Sequence, residues 1–262
     1  MPHPDHTPAA SDFRPLDRSA ELQAFYQDRD VVGSYLERRT AQPLNGVLHR
    51  GQVAFLNRVL AERRPARVLE IAPGPARLTA ELAFSGQGVA VDASPQMLTV
   101  ARDRLRGHPG EWLITRGDAF ALPLADHGVD LVYSTKFVRH FQRDDRARLY
   151  AEIRRVLRPG GAFVMDAQNR AISLPHRQRK GLERYPIYDV LYELPELVDE
   201  LASERFRVTR IEGLVRHFAL QSRLNWLRRV RLSALAGALV RALELLPSRA
   251  PSTWMVLSEV AA

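Results

Sequence analysis

Cysteine is absent from this sequence of 262 residues. Its absence excludes disulfide bonds, thiolate metal sites and iron–sulfur clusters, and we expect no bound metal. Long apolar runs are missing as well, since no stretch reaches the roughly 18 uninterrupted apolar residues of a membrane span. Residues 1–19 also lack the apolar core of a signal peptide. We therefore expect a soluble, cytoplasmic protein.

Basic residues are in excess but are widely distributed. The 38 lysines and arginines outnumber the 30 aspartates and glutamates, which gives a formal charge of +8. A nucleic-acid-binding face concentrates its basic residues, because affinity depends on neutralising neighbouring phosphates. Here the arginines are scattered along the chain. We interpret the excess mainly as solvated surface and do not expect nucleic acid as a partner.

Short apolar runs alternate with helical stretches from Arg67 onward. The runs that predict strands are VLEI (68–71), GVAVD (88–92), WLIT (112–115), VDLVY (129–133) and AFVM (162–165), with two more at 206–213 and 253–260. This spacing predicts an α/β fold with a doubly wound, seven-stranded, mostly parallel sheet. We place this domain at residues 67–262, after a disordered tail at 1–19 and a helical cap at 20–66.

A helical insertion is predicted at about residues 215–250, before the last strand. Leucines recur there at roughly helical spacing: Leu224, Leu227, Leu232, Leu235, Leu239, Leu243 and Leu246. Arginines, among them Arg228, Arg229 and Arg241, accompany the stripe, so the insertion is compatible with a membrane interface and a lipid-linked acceptor. We favour a lid over the substrate pocket, because such a helix needs an apolar face simply to dock.

A nucleotide-binding βαβ unit is predicted around the loop EIAPGPA (70–76). A strand ends in Glu70, a tight turn follows around Gly74, a helix begins at about Arg77, and Asp92 closes the next strand. At a strand tip the Asp92 carboxylate is placed to accept both hydroxyls of a ribose. A dinucleotide brings the same ribose, so Asp92 alone does not select the cofactor.

The composition of the loop is more selective than Asp92. Binding a pyrophosphate requires converging backbone N–H groups and glycines that allow close approach. The fingerprint positions here hold Ala72, Gly74 and Ala76, and Pro73 and Pro75 have no N–H to give. The loop therefore favours a cofactor without a pyrophosphate over a dinucleotide.

A second acidic position follows the third predicted strand, in the segment RGDAF (116–120). There the Asp118 carboxylate is placed to accept from an adenine amino group, while Ala119 offers a backbone N–H to the ring. A buried aspartate without such a partner is costly. The alternative is that Asp118 caps a helix.

Taken together, four stretches resemble the class I, Rossmann-like, S-adenosylmethionine-dependent methyltransferases of the methyltransferase-domain superfamily, small-molecule type. They are VLEIAPGPARLT (68–79), GVAVDASPQML (88–98), RGDAFALPLADHGVDLVYS (116–134) and EIRRVLRPGGAFVMDA (152–167). The resemblance implies that the cofactor is S-adenosylmethionine. The residues that it assigns to this cofactor are Glu70, Ala72, Gly74, Asp92, Ala93, Met97, Asp118, Ala119, Phe120 and Ser134. Alanine replaces the usual glycine at 72 and 76.

The segment YLERR (35–39) is similar to the tyrosine and arginine that precede the first strand in small-molecule members of this superfamily. The resemblance implies that Tyr35 closes over the cofactor and that Arg39 pairs with the methionine carboxylate. A solvated helix face is the alternative interpretation.

Methyl transfer is an in-line displacement, so the protein mainly positions a nucleophile close to the methyl carbon. A general base helps if that nucleophile is a hydroxyl. The best candidate is His140, just after the fourth strand, because ligands gather beyond the carboxyl ends of parallel strands. A histidine satisfied by packing is the alternative. His176, with Tyr185 and Tyr188 in the same variable segment, and His217 are weaker candidates for facing an acceptor.

These observations predict an S-adenosylmethionine-dependent methyltransferase that modifies an oxygen or nitrogen atom of a small molecule, either a secondary metabolite or a lipid-linked acceptor. A nucleic-acid methyltransferase is disfavoured, because Ser134-Thr135-Lys136-Phe137 stands where an Asn-Pro-Pro-Tyr element is expected. A catalytically silent S-adenosylmethionine-binding module is the alternative from another class.

Overall fold

One mixed sheet of eight strands organises the protein in this computed structural model, which describes residues 43–224, 233–248 and 250–261. The strands are β1 (Arg67–Ile71), β2 (Gln87–Asp92), β3 (Glu111–Arg116), β4 (Val129–Ser134), β5 (Leu157–Asn169), β6 (Leu191–Tyr192), β7 (Phe206–Leu214) and β8 (Thr253–Val260). Their order is β3-β2-β1-β4-β5-β8-β7, and β6 pairs with β5. β8 is antiparallel to both neighbours, whereas the pairs among β1 to β6 are parallel.

The α/β fold and the mostly parallel sheet agree with the sequence-based prediction, but the strand number was one too low. The additional strand, β6, has two residues, and its partners are Gln168 and Asn169 near the end of β5. β6 pairs with the same edge of β5 as β4 does, beyond the point where β4 ends at Ser134. A pair of residues this short carries no periodicity for a sequence to display.

Helices cover both faces of the sheet. They are α1 (Pro43–Arg63), α2 (Pro95–Arg104), α3 (Arg143–Val156), α4 (Arg170–Lys180), α5 (Leu194–Ser203), α6 (Phe218–Arg223) and α7 (Ser233–Glu244), with short 3₁₀ helices at Thr79–Glu81, Val138–His140 and Leu182–Arg184. β1 is buried on both sides: Val68 packs with Phe55 of α1, and Leu69 packs with Leu149 of α3. Both faces being apolar is typical of a doubly wound sheet. None of the described helices is long and apolar enough to cross a membrane.

The helix predicted from about Arg77 is reduced to a single 3₁₀ turn, Thr79–Glu81. Ala72, Gly74 and Ala76 all have positive φ angles, of 55°, 55° and 52°. A right-handed helix does not accommodate this conformation, so the first part of the connection is irregular. Only one helical turn then fits before the chain reaches β2.

The predicted insertion before the last strand is present as α6 and α7. Leu227, Leu232, Arg228 and Arg229 of the predicted stripe lie outside the described residues. On α7 the docking face differs from the prediction, because Ala236 and Val240 are fully buried while Leu235 and Leu239 are 47% and 39% exposed. The small residues allow α7 to pack closely against α1. The helical cap predicted at 20–66 is described only in α1, and the predicted tail lies outside the described residues.

A buried ion pair joins α3 to α5. Arg146 donates from Nε to Glu200 Oε1 at 2.7 Å and from Nη2 to Glu200 Oε2 at 2.5 Å. The hydroxyls of Tyr150 and Tyr192 donate to the same carboxylate, at 3.1 and 2.8 Å. Arg146 and Glu200 are 4% and 9% exposed. Arg143 Nε lies farther away, 3.8 Å from Glu200 Oε2, so removing Arg146 would leave the buried carboxylate without its hydrogen-bonded counter-ion.

We predict that Arg146→Met lowers the free energy of unfolding by about 3 kcal/mol, because the buried Glu200 carboxylate keeps only the more distant Arg143 as a cation. The double variant Arg146→Met/Glu200→Gln should lose less than the single variant, since the remaining group is neutral and still accepts from the tyrosines. Urea denaturation measures both. Arg148→Met, at an exposed position of α3, is the control and should change stability by less than about 0.5 kcal/mol. Equal losses in the single and double variants would contradict the prediction.

Candidate active site

A cavity lies at the carboxyl ends of β1 and β2, where ligands bind in doubly wound sheets. We call it the first cavity. Ten of the residues assigned from the sequence line it: Glu70, Ala72, Gly74, Asp92, Ala93, Met97, Asp118, Ala119, Phe120 and His140. They come from the ends of four strands and the connections that follow them, so the fold brings together residues that lie up to 70 positions apart in the chain.

The loop after β1 uses its own amides internally. The N–H of Ala72 donates to Val91 O at 2.8 Å, and that of Ala76 donates to Pro73 O at 3.1 Å. The N–H of Gly74 donates to Asp92 Oδ2 at 2.9 Å. The intervening residues are prolines and have no N–H. No amide of residues 72–76 therefore remains to bind a pyrophosphate, and this supports the cofactor choice made from the loop composition.

Asp92 connects the two strand ends. Besides the Gly74 amide, its carboxylate accepts the N–H of Ser94, at Oδ1, at 2.9 Å. Burial raises the pKa of Asp92, and these backbone hydrogen bonds oppose the shift. A carboxylate has about four acceptor positions, so capacity remains for ribose hydroxyls.

Glu70 is buried at the base of the first cavity. The Thr79 hydroxyl donates to its carboxylate, and the Tyr133 hydroxyl lies 3.1 Å from that of Thr79. Burial raises the pKa of Glu70 to about 7, against the opposing hydrogen bonds of Thr79 and Tyr133. The side chain therefore titrates near neutral pH.

The residues that the resemblance assigns to adenine lie on a short turn after β3 and on the first turn of α2. Asp118 Oδ1 accepts the N–H of Phe120 at 3.0 Å, which caps a turn rather than a helix. The Met97 side chain is held on the cavity wall by the start of α2, where the Ser94 hydroxyl accepts the Met97 N–H at 3.3 Å. An apolar wall with one carboxylate suits a flat ring that carries an amino group.

His140 has a fixed ring orientation. Its Nδ1 is 2.9 Å from the carbonyl oxygen of Tyr188 and 2.8 Å from Asp189 Oδ1. The Tyr188 carbonyl accepts from Nδ1, and the Asp189 carboxylate is in ion-pair contact with the same nitrogen, so Nδ1 carries the proton and Nε2 has the lone pair. Burial raises the pKa of Asp189, but Arg139, His140 and Arg177 more than offset this and hold it well below its ordinary value. Asp189 thus stays ionised beside the ring.

Ser134 differs from its expected placement near the sulfur. Its side chain is 1% exposed, and its hydroxyl donates to the carbonyl of Ile71 at 2.9 Å, so it joins β4 to β1. It does not line the first cavity. Tyr35 and Arg39 lie outside the described residues.

The two weaker histidine candidates, His176 and His217, lie in different parts of the structure. His176 and Tyr185 line a second cavity, which shares Lys136 with the first. His217 precedes α6 and lines neither cavity, and its Nε2 is 3.3 Å from Leu246 O. Tyr188 contacts His140 through its backbone carbonyl.

Sequence reasoning missed a set of charged residues that hold the site. Asp189 contacts Arg139 Nε at 3.0 Å and Arg177 Nη2 at 2.5 Å. Asp166 Oδ1 accepts the Lys136 amide at 2.5 Å. The partners are far apart in the chain, so no local pattern signals them. The available signal was a single charged residue inside each of two largely apolar segments, Asp166 in FVMDA and Asp189 in IYDVL.

Two further cations on the first cavity, Arg77 and Lys136, were also missed. The guanidinium of Arg77 contacts His49 and donates to Gln52 Oε1 at 3.3 Å. Lys136 has a positive φ of 57°, which is uncommon outside glycine and is frequent at functional sites.

The raised pKa of Glu70 predicts a pH dependence of stability in the cofactor-free protein. The folded state favours the neutral acid of Glu70. Its contribution to the free energy of unfolding is therefore constant below the ordinary pKa of 4.5 and falls between pH 4.5 and about pH 7. The full loss is about 3 kcal/mol. Glu70→Gln should remove this fall, measured by urea denaturation between pH 5 and pH 8. The control Glu111→Gln, at an exposed position of β3, should retain it, and an unchanged slope in Glu70→Gln would refute the assignment.

Comparison with known proteins gives a family for the central part of the chain. Residues 69–165 match the methyltransferase domain family. A malonyl-[acyl-carrier protein] O-methyltransferase of Methylococcus capsulatus is 32% identical over 153 residues, which cover 57% of this chain and 54% of that protein. The ubiquinone/menaquinone biosynthesis C-methyltransferase UbiE of Azotobacter vinelandii is 34% identical over 128 residues, covering 47% and 50%. The chain spans about half the length of these curated relatives.

Solved structures agree on the fold. Magnesium protoporphyrin IX methyltransferase from Synechocystis, determined with bound S-adenosylhomocysteine, has a TM-score of 0.64 at 10% identity and covers 93% of this chain and 100% of that one. A SAM-dependent methyltransferase from Methanosarcina mazei has a TM-score of 0.51 at 15% identity and covers 74% and 92%. At these identities the structures establish the fold alone.

The family match covers the loop, Asp92, Asp118 and β4, which are the elements that form the first cavity. The solved structures extend the agreement in fold over the rest of the described chain. Residues 69–165 therefore form a methyltransferase domain, the fold around them is of the Rossmann-like type, and S-adenosylmethionine is the cofactor.

Proposed function

We propose that the protein transfers the methyl group of S-adenosylmethionine to an oxygen or nitrogen atom of a small molecule. The observation that carries the proposal is His140, which lines the first cavity with Nδ1–H bound to the Tyr188 carbonyl and Nε2 left as a base. Hydroxyl and amine nucleophiles lose a proton on methylation, and a base on this wall can receive it. The malonyl-[acyl-carrier protein] O-methyltransferase among the relatives supports the same acceptor chemistry.

The first cavity offers complementary groups to each part of the cofactor. Asp92 faces the ribose, Asp118 and Met97 the adenine, and Arg77 is the cation placed for the methionine carboxylate. Arg77 is a second candidate for the role that the resemblance gives to Arg39, which lies outside the described residues. The loop amides are already satisfied by Val91, Asp92 and Pro73, which favours a cofactor without phosphate.

When bound, S-adenosylmethionine supplies a methyl group that is already activated by the positive sulfur. His140 Nε2 would receive the proton that a hydroxyl or amine acceptor loses when it takes up this methyl group. Asp189 holds the imidazole in orientation and stabilises its protonated form through the 2.8 Å contact at Nδ1. Phe137 and Phe141 line the same wall and exclude water from the proton transfer.

Transfer of label tests the proposal. The protein is incubated with S-adenosylmethionine that carries a tritiated methyl group and with an extract of the cells that express it. We expect label in the small-molecule fraction. Label only in precipitated RNA or DNA would favour the nucleic-acid alternative, and binding of S-adenosylhomocysteine without any transfer would identify a silent binding module.

The assignment of the cofactor contacts predicts two distinct defects. Asp92→Asn should weaken S-adenosylhomocysteine about 10–100-fold, because a charged acceptor for the ribose is lost. It should weaken methylthioadenosine equally, since that molecule has the same ribose. Arg77→Gln should weaken S-adenosylhomocysteine but leave methylthioadenosine unchanged, because methylthioadenosine has no methionine carboxylate. Isothermal titration calorimetry measures all four constants, and an equal loss for both ligands in Arg77→Gln would exclude its role.

The assignment of His140 predicts a defect in turnover. We expect His140→Gln to lower kcat about 100-fold or more, because the acceptor proton has no base to receive it. S-adenosylhomocysteine binding should change less than about threefold, which shows that the site is folded. His217→Gln, which lies outside both cavities, is the matched control and should retain full activity. An unchanged kcat in His140→Gln would show that the ring serves packing.

A further inference from the structure

A second cavity adjoins the first and differs from it in charge. It lies between α1, α4 and α6, and Lys136 belongs to the walls of both cavities. Cations from three parts of the chain line it: Lys136, Arg177, Arg179, Lys180, Arg184 and Arg223. Arg139, which is buried, also contributes to its wall near Lys136.

Carboxylates are absent from the described part of this wall. Asp189 stands behind it and pairs with Arg139 and Arg177. Arg179, Lys180, Arg184 and Arg223 are exposed, and the described residues provide no ion pair to any of these four. Among the described residues, the outer part of the cavity therefore carries positive charge that no carboxylate pairs.

His176 lies among the cations of the second cavity, and its pKa is shifted by them. Burial lowers its pKa, and the charges of Lys180, Arg179 and Arg177 lower it further. Its ring packs edge-on against Phe218 of α6, with centroids 4.8 Å apart, so it lies between the two helices that form the walls. Like charges held together in a concave wall repel one another and focus a positive potential on the space they enclose.

Three of the four cations that no described carboxylate pairs are arginines. A guanidinium is planar and presents paired donors, a geometry that matches the oxygens of phosphate and carboxylate groups. The apolar and aromatic residues beside them, Phe218, Tyr185 and Leu48, provide surface for the rest of a small molecule. The wall thus combines anion recognition with apolar contact, as ligand sites commonly do.

We propose that the second cavity binds an acidic acceptor: a small molecule with at least two negative charges from phosphate or carboxylate groups. The charged end lies among Arg179, Arg184 and Arg223, and the atom to be methylated lies near Lys136, where the two cavities meet. The inference rests on the proposed function, because it names the class of acceptor that the same site uses. It also gives a role to part of the basic excess, which the sequence pattern suggested was mere solvated surface.

A small molecule fits the arrangement better than a polymer or a membrane. The cations converge on one cavity from α4, from the segment after it and from α6, whereas a nucleic acid is bound by basic residues extended along a face. Exposed leucines, Leu182 and Leu220, do stand nearby. Binding to vesicles or RNA is therefore included as an outcome of the test.

The experiment measures binding of pyrophosphate and of tricarballylate, a tricarboxylate, by isothermal titration calorimetry at constant ionic strength. The variant Arg179→Gln/Arg184→Gln removes two charges from the second cavity. The matched control Arg104→Gln/Arg106→Gln removes two exposed charges at the end of α2, outside both cavities. Pyrophosphate binding alone identifies phosphate as the recognised group, and tricarballylate binding alone identifies carboxylate.

We expect at least one of these anions to bind the wild-type protein, with affinity reduced about tenfold in the cavity variant and unchanged in the control. Failure of both anions to bind, or an equal loss in both variants, would overturn the proposal. So would tighter binding of single-stranded RNA or of phosphatidylglycerol vesicles that depends on the same two arginines. S-adenosylhomocysteine is titrated in parallel: normal binding of it without anion binding refutes this inference alone, whereas its failure to bind refutes the proposed function.

Discussion

The carboxylate of Asp92 holds the loop after β1 in place, and the geometry of the first cavity depends on it. One oxygen accepts the Gly74 amide and the other accepts the Ser94 amide, both at 2.9 Å. These bonds fix the loop to the tip of β2. Ala72 and Ala76, on either side of Gly74, have left-handed conformations that cost of order 1–2 kcal/mol each for a residue with a side chain, and their amides donate to Val91 O and Pro73 O.

This constraint determines the chemistry that the loop permits. With the amides of residues 72–76 bonded to Val91, Asp92 and Pro73, the loop presents carbonyls and apolar atoms to the cavity rather than N–H donors. Such a surface accepts a sulfonium and its methionine tail, whereas two phosphates would lack donors. The prolines and alanines of the loop favour a cofactor without a pyrophosphate because they leave no free backbone N–H between residues 72 and 76.

A second group of buried charges sets the border between the two cavities. Asp166 accepts the Lys136 amide at 2.5 Å and lies 3.6 Å from Arg139, while Asp189 orients both Arg139 and His140. These pairs fix the turn after β4, where cofactor and acceptor would meet. The candidate base and the shared lysine are therefore positioned by the same carboxylates.

Local patterns were sufficient for the strands and for most of the first cavity, because apolar runs and strand-end residues act over a few positions. They failed where the outcome depends on distant partners. The helix predicted at Arg77 is replaced by a single turn after the left-handed residues Ala72, Gly74 and Ala76. On α7, Leu235 and Leu239 face outward because Ala236 and Val240 form the buried face. Ser134 donates to the Ile71 carbonyl in the neighbouring strand. The clustering of Arg179 and Arg223 likewise follows from tertiary packing of α4 and α6.

The most direct test of the central claim is the melting temperature of the purified chain with S-adenosylhomocysteine and, separately, with NADH at the same concentration. A ligand that binds only the folded state raises this temperature. The account predicts a rise with S-adenosylhomocysteine and none with NADH. A rise with NADH and none with S-adenosylhomocysteine would contradict the interpretation of the loop at residues 70–76 and everything built on it.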